Sequence, residues 1–238
     1  MGRAYEVRKA SIQKTGAAKA KLYSMYAREI YQAAKSGGTE PSSNTVLKRL
    51  LEKAKKEQVP SDIIKRAIDK VNSGADESYE EVRYELFGPS GSTVIVECLT
   101  DNVNRSISSI RAALNKCNCK LGVSGSASFM YDHLCVISFQ GLDEEQVLEA
   151  LIFHDLEVED MEMEDDHMVL YGSPQDLYAI KEAIVSVLPD VTFDMDEITF
   201  IPKEKVQLEG DDLMYFNRLL TMLDDIEDVQ HVYHNVAL

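Results

Sequence analysis

Apolar residues recur at steps of three and four through residues 17–72 and then alternate with polar residues from about residue 82. The first spacing places side chains on one face of an α-helix, and the second on one face of a β-strand. The pattern predicts three helices, covering 17–36, 45–58 and 62–71. Asn44 is expected to cap the second helix, because its side-chain oxygen can accept an orphan N–H of the first turn. Residues 1–12 show no clean period and are predicted to be a mobile basic arm.

The later part of the chain predicts strands and helices in mixed order. In sequence these are strands at 82–87 and 93–99, a helix at 102–116, a strand at 127–131, a strand at 135–139, a helix at 143–153, strands at 157–163 and 167–171, a helix from 173, a strand within 191–201, a short strand at 206–208, a helix at 211–223 and a strand at 229–234. Residues 134–201 therefore follow the βαββαβ order of a ferredoxin-like unit. The last helix and strand are too short to fold alone, so we expect them to join the sheet formed by residues 82–131.

The predicted fold class is α+β, with a three-helix domain followed by two α/β modules, one inserted into the other. The expected domains are 1–75, 76–133 together with 202–238, and the inserted ferredoxin-like domain 134–201. At 238 residues the chain is long enough for more than one hydrophobic core.

Charge is strongly segregated along the chain. Residues 1–75, which we call the basic head, contain sixteen Lys and Arg against seven Asp and Glu. Residues 76–238, the acidic body, contain nine against thirty-four, and the whole chain has a net charge of −16. A uniformly acidic protein is repelled by phosphate backbones. The segregation instead indicates that one end of the molecule meets a polyanion.

The candidate nucleic-acid ligands are cations on helix faces opposite the apolar ones, together with cations of the arm. Lys21, Arg28 and Lys35 repeat every seven residues and so share a face. Such side chains position a phosphate backbone without reading bases. The predicted set is Arg8, Lys9, Lys14, Lys19, Lys21, Arg28, Lys35, Arg49, Lys53, Lys56, Lys65, Arg66 and Arg105.

Two features of this set have alternative interpretations. Arg105 lies in the first turn of a helix, where a cation opposes the helix dipole unless it has a partner, and either an acidic neighbour or a phosphate would supply one. Tyr23, Tyr26 and Tyr31 lie among the cations and could stack on unpaired bases, but packing between helices is the favoured interpretation.

Catalytic, metal and membrane signals are weak. The Gly/Ser-rich stretch 122–128 has no P-loop Lys and leads into a strand, so a bulged strand entry is favoured over a phosphate cradle. The four cysteines lack a second close pair at zinc-finger spacing, and His154 and His167 have no nucleophile placed by a motif. No enzyme activity, metal, cofactor or membrane span is predicted, and the expected location is the cytoplasm.

Several segments together resemble the YebC/PmpR family, whose members are called probable transcriptional regulatory proteins and include mitochondrial translational activators. The opening departs from the family pattern, because Arg3-Ala4-Tyr5-Glu6-Val7 stands where a Ser-Lys-Trp-Ala-like stretch is common. The carrying segments are Lys19 to Ile30 (KAKLYSMYAREI), Asn44 to Lys70, Tyr84 to Gly91 (YELFGPSG), Thr100 to Arg105 (TDNVNR), Gly125 to Asp132 (GSASFMYD) and Asp228 to Val236 (DVQHVYHNV).

The resemblance implies a three-domain protein and regulation linked to nucleic acid. We therefore expect a non-enzymatic DNA-binding transcriptional regulator that uses the basic head. The alternative is a ribosome-associated translation factor, in which the head contacts ribosomal or transfer RNA and the acidic body meets the ribosome or a basic protein.

Overall fold

The computed structural model describes residues 18–74 and 77–238. In these two stretches the chain forms seven α-helices and two four-stranded antiparallel sheets, which confirms the predicted α+β class. The helices are α1 Ala18–Gly37, α2 Thr45–Lys56, α3 Ser61–Asn72, α4 Val103–Lys116, α5 Glu144–Phe153, α6 Leu177–Val187 and α7 Gly210–Asp224. The strands are β1 Glu80–Phe87, β2 Thr93–Thr100, β3 Lys120–Leu121, β4 Tyr131–Phe139, β5 Asp160–Glu164, β6 His167–Gly172, β7 Phe193–Pro202 and β8 Val229–His234.

The described chain divides into two compact units. The parent unit consists of 18–74, 77–129 and 204–238, and the inserted unit consists of 130–203. The predicted three-domain division further separates the helical head from the rest of the parent unit, and it stays a prediction.

The head helices pack around a small apolar core. Ile30 of α1 and Leu47 and Ala54 of α2 are fully buried, and Ala67 of α3 lies against them. Asn44 caps α2 as predicted, since its Oδ1 accepts the Leu47 N–H at 3.0 Å.

The second layer of the parent unit is a sheet with strand order β3-β1-β2-β8. Its core joins Leu86, Val94 and Val96 from the strands to Ile110 of α4 and Phe216 of α7. The C-terminal helix and strand therefore return to the sheet of the earlier strands, as predicted from their short length.

The inserted unit has strand order β5-β6-β4-β7, with every neighbouring pair antiparallel. Numbered within the unit this is 2-3-1-4, the order of a ferredoxin-like fold. Cys135, Ile137 and Phe139 of β4 pack against Val147 of α5 and Ile180 of α6.

Two sequence predictions of local structure are wrong. Residues 127–130 were predicted as strand but include a 3-10 turn at Ser128–Met130, because the Ala127 and Ser128 N–H groups bind the Glu85 carboxylate and not a neighbouring strand. Residues 206–208 make only a single bridge, between Val206 and Val236, before the chain turns into α7. By contrast, the helix predicted from 173 is confirmed, since Ser173 stands at the N-cap position, Pro174 opens a 3-10 turn and α6 continues from Leu177.

Candidate nucleic-acid interface

The amphipathic helices α2 and α3 present their cations away from the apolar core. Leu47, Leu50 and Ala54 are the buried positions of α2, and Ala67 is the buried position of α3. Turning each buried face inward places the charged residues outside, because successive residues of a helix are rotated by about 100°. The outer cations are Lys48, Arg49, Lys53, Lys55 and Lys56 on α2, and Lys65, Arg66 and Lys70 on α3.

Few acidic side chains accompany these cations. Glu52 is the one carboxylate within α2, and Asp62 and Asp69 are those of α3. Asp62 forms an ion pair with Arg66 one helical turn later. We use the name outer basic face for the exposed Lys48 and Lys55 of α2 and Lys65 of α3, for which no ion pair exists within the described stretches.

The predicted ligands Arg49, Lys53 and Lys56 also lie on α2 but differ from the lysines of the outer basic face. Arg49 and Lys53 are half-buried and Lys56 is exposed, and each interacts with other groups of the protein. Their contribution to an anion site would therefore compete with existing interactions.

Lys21, Arg28 and Lys35 do share one face of α1, but that face meets the acidic body. The Lys21 ammonium donates to the Asp224 carboxylate at 3.0 Å, and the Lys35 ammonium donates to the Glu77 carbonyl at 2.8 Å. Arg28 donates to the Glu227 carbonyl at 3.0 Å and also pairs with the Glu227 carboxylate. The heptad of cations thus connects the head to the body within the parent unit.

Asp228 is the centre of this connection. Its side chain is 4% exposed, and it accepts hydrogen bonds from Arg28 at 3.3 Å, from Arg105 at 2.8 Å and from Ser106 at 2.8 Å. Burial would raise the pKa of the Asp228 carboxyl, but the hydrogen bonds from Arg105 and Ser106 outweigh it and lower the pKa. Arg105 also pairs with Asp101, so an acidic partner satisfies the cation in the first turn of α4.

The remaining predicted ligands are near the N-terminus. Lys19 is exposed in the first turn of α1. Arg8, Lys9 and Lys14 lie outside the described residues, as does the arm predicted for residues 1–12.

Two of the head tyrosines are packing residues. Tyr26 and Tyr31 are 8% and 2% exposed, and the Tyr31 hydroxyl accepts the Glu77 N–H at 3.0 Å. Tyr23 is partly buried against the head core. This arrangement supports packing over the stacking of bases on Tyr26 and Tyr31.

The Gly/Ser-rich stretch 122–128 encloses a carboxylate of the protein itself. Glu85 of β1 is 4% exposed and accepts the N–H groups of Gly125 at 2.7 Å, of Ser128 at 3.0 Å and of Ala127. Burial would raise the pKa of Glu85, yet these backbone donors hold it below the ordinary value. The N–H groups that a phosphate would require are therefore occupied.

The cysteines have the environment of structural residues. Cys98, Cys117, Cys119 and Cys135 are free thiols and all are buried. Burial raises the pKa of Cys98 to about 12 and that of Cys119 to about 11, so both remain protonated at neutral pH. Among residues 18–74 and 77–238, no three His, Cys, Asp or Glu side chains are grouped to hold a metal ion, and no helix has the length and apolar character needed to cross a bilayer.

Lys48 and Lys55 are exposed cations that the predicted set of ligands does not include. Both are more available to an anion than Arg28 or Arg105, whose guanidinium groups pair with carboxylates. The relevant signal is the small number of carboxylates within reach on the same helix, since α2 contains five cations and one glutamate.

Comparison with known proteins places this architecture in one family. Residues 3–74 match the model of the TACO1/YebC protein N-terminal domain, and residues 79–236 match that of the TACO1/YebC second and third domain. Over all 238 residues, and over the full length of the relatives, the chain is 47% identical to a probable transcriptional regulatory protein of Vibrio parahaemolyticus and 48% identical to one of Vibrio cholerae.

A solved structure gives the same result for the fold. A conserved hypothetical protein from Aquifex aeolicus superposes with a TM-score of 0.72 at 33% identity, covering 95% of each chain. The two family models together span both compact units. The chain belongs to the TACO1/YebC family.

Proposed function

We propose that this protein is a non-enzymatic regulator of gene expression that binds DNA through the outer basic face of α2 and α3. The observation that carries the proposal is the position of Lys48, Lys55 and Lys65, which are exposed cations with no ion pair in the described chain. Cations of this kind gain binding free energy from counterion release when they neutralise phosphates. Names of relatives such as those of Vibrio, which are probable transcriptional regulatory proteins, support a role in transcription.

The geometry of α2 suits contact with a phosphate backbone. Lys48 and Lys55 are seven residues apart, two turns of helix, so they project from one side with a rise of about 10 Å between them. Lys56 and Arg49 flank them on the same helix. Such contacts hold a duplex in place but contain no base information, so the proposal includes no sequence specificity.

The acidic body orients the complex. Residues 76–238 contain nine Lys and Arg against thirty-four Asp and Glu, and like charge repels the phosphate backbone from this part of the molecule. Lys21, Arg28 and Arg105 serve a different purpose, since their carboxylate partners connect head and body.

A charge-reversal experiment tests the proposal. We expect the triple variant Lys48→Glu/Lys55→Glu/Lys65→Glu to lose most of its affinity for duplex DNA, measured between about 50 and 200 mM salt. The slope of log affinity against log salt should fall by about 3 units. The matched control is Arg111→Glu/Lys116→Glu/Lys120→Glu, which changes the net charge equally at exposed positions of the acidic body. Equal loss in both variants, or no loss in the first, would contradict the proposal.

The second candidate function is that of a ribosome-associated translation factor. Phosphate contacts of this kind serve RNA as well as DNA, and the acidic body is suited to basic protein surfaces. Sedimentation of the native protein through a sucrose gradient separates the two functions. Co-migration with ribosomes that the Lys48/Lys55/Lys65 variant abolishes would favour translation, whereas absence from ribosomes with retention on duplex DNA would favour transcription.

A further inference from the structure

The two helices of the inserted unit expose an unusual amount of apolar surface. Phe153 is 84% exposed, Ile152 68% and Leu148 49% on α5, and Val185 and Val187 are 41% and 47% exposed on α6. Isolated exposed apolar side chains are normal in folded proteins, but a cluster of them marks an interaction surface. Five such residues on two neighbouring helices therefore require an explanation.

These side chains lie outside the core of their own unit. The buried positions of α5 are Val147, Ala150 and Leu151, which face the sheet. Helical spacing places Leu148 and Ile152 on one exposed edge of α5 and Phe153 further round. The helix ends directly after Phe153, so no later turn covers the ring.

Two of the five exposed residues, Phe153 and Val187, line a groove between α5 and α6. The volume of the groove is about 360 Å³. The His154 ring nitrogen Nε2 lies 3.3 Å from the hydroxyl of Ser186, a lining residue, and this contact connects the end of α5 to α6. The remaining lining residues are Leu142, Gln146, Glu149, Ala150 and Ser186.

Charge determines what this groove can accept. Residues 130–203 contain nineteen Asp and Glu against two Lys. Lys181 pairs with Asp196 at 2.6 Å and Lys203 lies 3.6 Å from Asp132, so both lysines have acidic partners. On α5 the exposed Glu145 and Glu149 alternate with the exposed apolar residues.

This combination excludes two classes of occupant. Nucleic acid would be repelled by the acidic side chains, and a second copy of the same surface would bring two strongly negative units together. A segment with apolar side chains flanked by Lys or Arg would pack on the apolar lining of the groove and pair with the surrounding carboxylates. Amphipathic helices bind grooves in this manner, with anchors at positions i, i+3, i+4 and i+7.

We infer that the α5/α6 groove of the inserted unit binds a basic amphipathic helix of a partner protein. Apolar anchors of that helix contact Phe153 and Val187, while its cations meet Glu145 and Glu149. The inference is independent of the nucleic-acid function, because the groove and the outer basic face belong to different compact units.

A synthetic probe tests the inference on the full-length protein. The probe is a fluorescent peptide of roughly 18 residues, built from Leu and Lys so that the leucines occupy one helical face. A scrambled peptide of the same composition has the same charge without that face. By fluorescence anisotropy we expect the amphipathic peptide to bind at least about tenfold more tightly than the scrambled one, since an apolar contact the size of a Phe ring contributes this much.

Variants then locate the binding site. Phe153→Ser is expected to weaken binding of the amphipathic peptide by about tenfold or more, and Glu149→Lys to weaken it further. Met214→Ser is the matched control, because Met214 is a 55% exposed apolar residue on α7 of the parent unit. Circular dichroism melting of each variant verifies that the fold is retained.

Three outcomes would overturn the inference. Equal affinity for both peptides would show that net charge alone causes binding. An unchanged affinity of Phe153→Ser for the amphipathic peptide would place the binding site elsewhere. Sedimentation equilibrium supplies the third test: a dimer of the native protein that Phe153→Ser converts to monomer would assign the groove to contact between copies of this chain.

Discussion

Nη1 of Arg28 in the first helix lies 3.3 Å from Oδ1 of Asp228, which precedes the last strand. The two residues are 200 positions apart in sequence. Arg105 approaches the same carboxylate from α4, so one buried aspartate connects three distant parts of the parent unit.

Replacing Asp228 should destabilise the parent unit. Asp228→Asn leaves Arg28 and Arg105 without their shared anion, and because Arg105 is half-exposed we expect a loss of about 2 kcal/mol in the free energy of unfolding. Urea denaturation at neutral pH measures it. The control is Asp224→Asn, which removes the carboxylate partner of Lys21. Asp224 is far more exposed than Asp228, so the expected loss in unfolding free energy is below about 1 kcal/mol. Similar losses in the two variants would argue against a central role for Asp228.

The contribution of Asp228 should also depend on pH in a defined direction. The folded-state pKa of its carboxyl is lowered, so its contribution is complete above the ordinary aspartate pKa of about 3.9 and is lost as the pH falls through the lower folded value. The difference in unfolding free energy between native protein and Asp228→Asn is therefore expected to be constant above about pH 5 and to shrink below about pH 4. If this difference in unfolding free energy instead grew as the pH fell, the prediction that the folded-state pKa of Asp228 is lowered would be contradicted.

Asn44 has a second role beyond capping α2. Its amide Nδ2 donates to the carbonyls of Ala33 and Gly38, each at 2.8 Å, and so connects the end of α1 to the start of α2. Asp caps helices as well as Asn does, yet it cannot donate. We expect Asn44→Asp to lower the free energy of unfolding by about 2 kcal/mol, because the buried Ala33 carbonyl and the partly buried Gly38 carbonyl lose their donor.

The natural control for Asn44 is another asparagine N-cap. Asn102 accepts the Arg105 N–H at 3.0 Å at the start of α4. Asn102→Asp preserves that acceptor and is expected to change stability by less than about 0.5 kcal/mol. If Asn44→Asp were equally neutral, the two bonds from its amide would have no energetic weight.

Glu85 should be essential for ordering the Gly/Ser-rich stretch. Glu85→Gln replaces one acceptor oxygen by an NH₂ group facing backbone N–H groups, and the expected cost is about 2 kcal/mol in unfolding free energy. Hydrogen exchange at Gly125, Ala127 and Ser128 should accelerate in the same variant. Glu81→Gln, at an exposed position of the same strand, is the control and should be nearly neutral. Unchanged exchange at the three amides would contradict this account.

Tyr84 offers a prediction of the opposite sign. Its hydroxyl is buried with no hydrogen-bond partner in the described chain, and burial raises the pKa of the phenol. Removing a buried unsatisfied group is neutral or favourable, so Tyr84→Phe should leave the melting temperature unchanged or raise it. Tyr31→Phe removes the acceptor of the Glu77 N–H and should lower stability by about 1 kcal/mol. A clear destabilisation by Tyr84→Phe would indicate an internal water on its hydroxyl.

Patterns between neighbours in sequence predicted most of the fold. Features that depend on contacts between residues far apart in sequence were not predicted. The cap at Asn44, the heptad of Lys21, Arg28 and Lys35, and the βαββαβ order of the inserted unit all depend on neighbours in sequence, and each is present in the structure. The heptad could not indicate that its face meets Asp224, Glu227 and Asp228, because those acids follow about two hundred residues later.

The same limit applies to the strand predicted at 127–131. Its composition suits an extended segment, but Glu85, some forty residues earlier, binds its first N–H groups and sets its conformation. For the candidate site, the sequence predicted a charged surface on the basic head, and binding of nucleic acid by that surface stays a prediction. Which cations remain available there depends on partners that only the fold brings together.

The pairing of Tyr131 with Pro202 has a consequence for how the chain accommodates its insertion. The first residue of β4 and the last of β7 are partners in one ladder, and the Lys203 N–H donates to the Met130 carbonyl at 2.9 Å. The segment of seventy-four residues, 130–203, therefore begins and ends at nearly the same point. The two ends of the segment are no further apart than the ends of a tight turn. The segment can therefore be lengthened, exchanged or removed in evolution without changing the backbone path of the flanking residues.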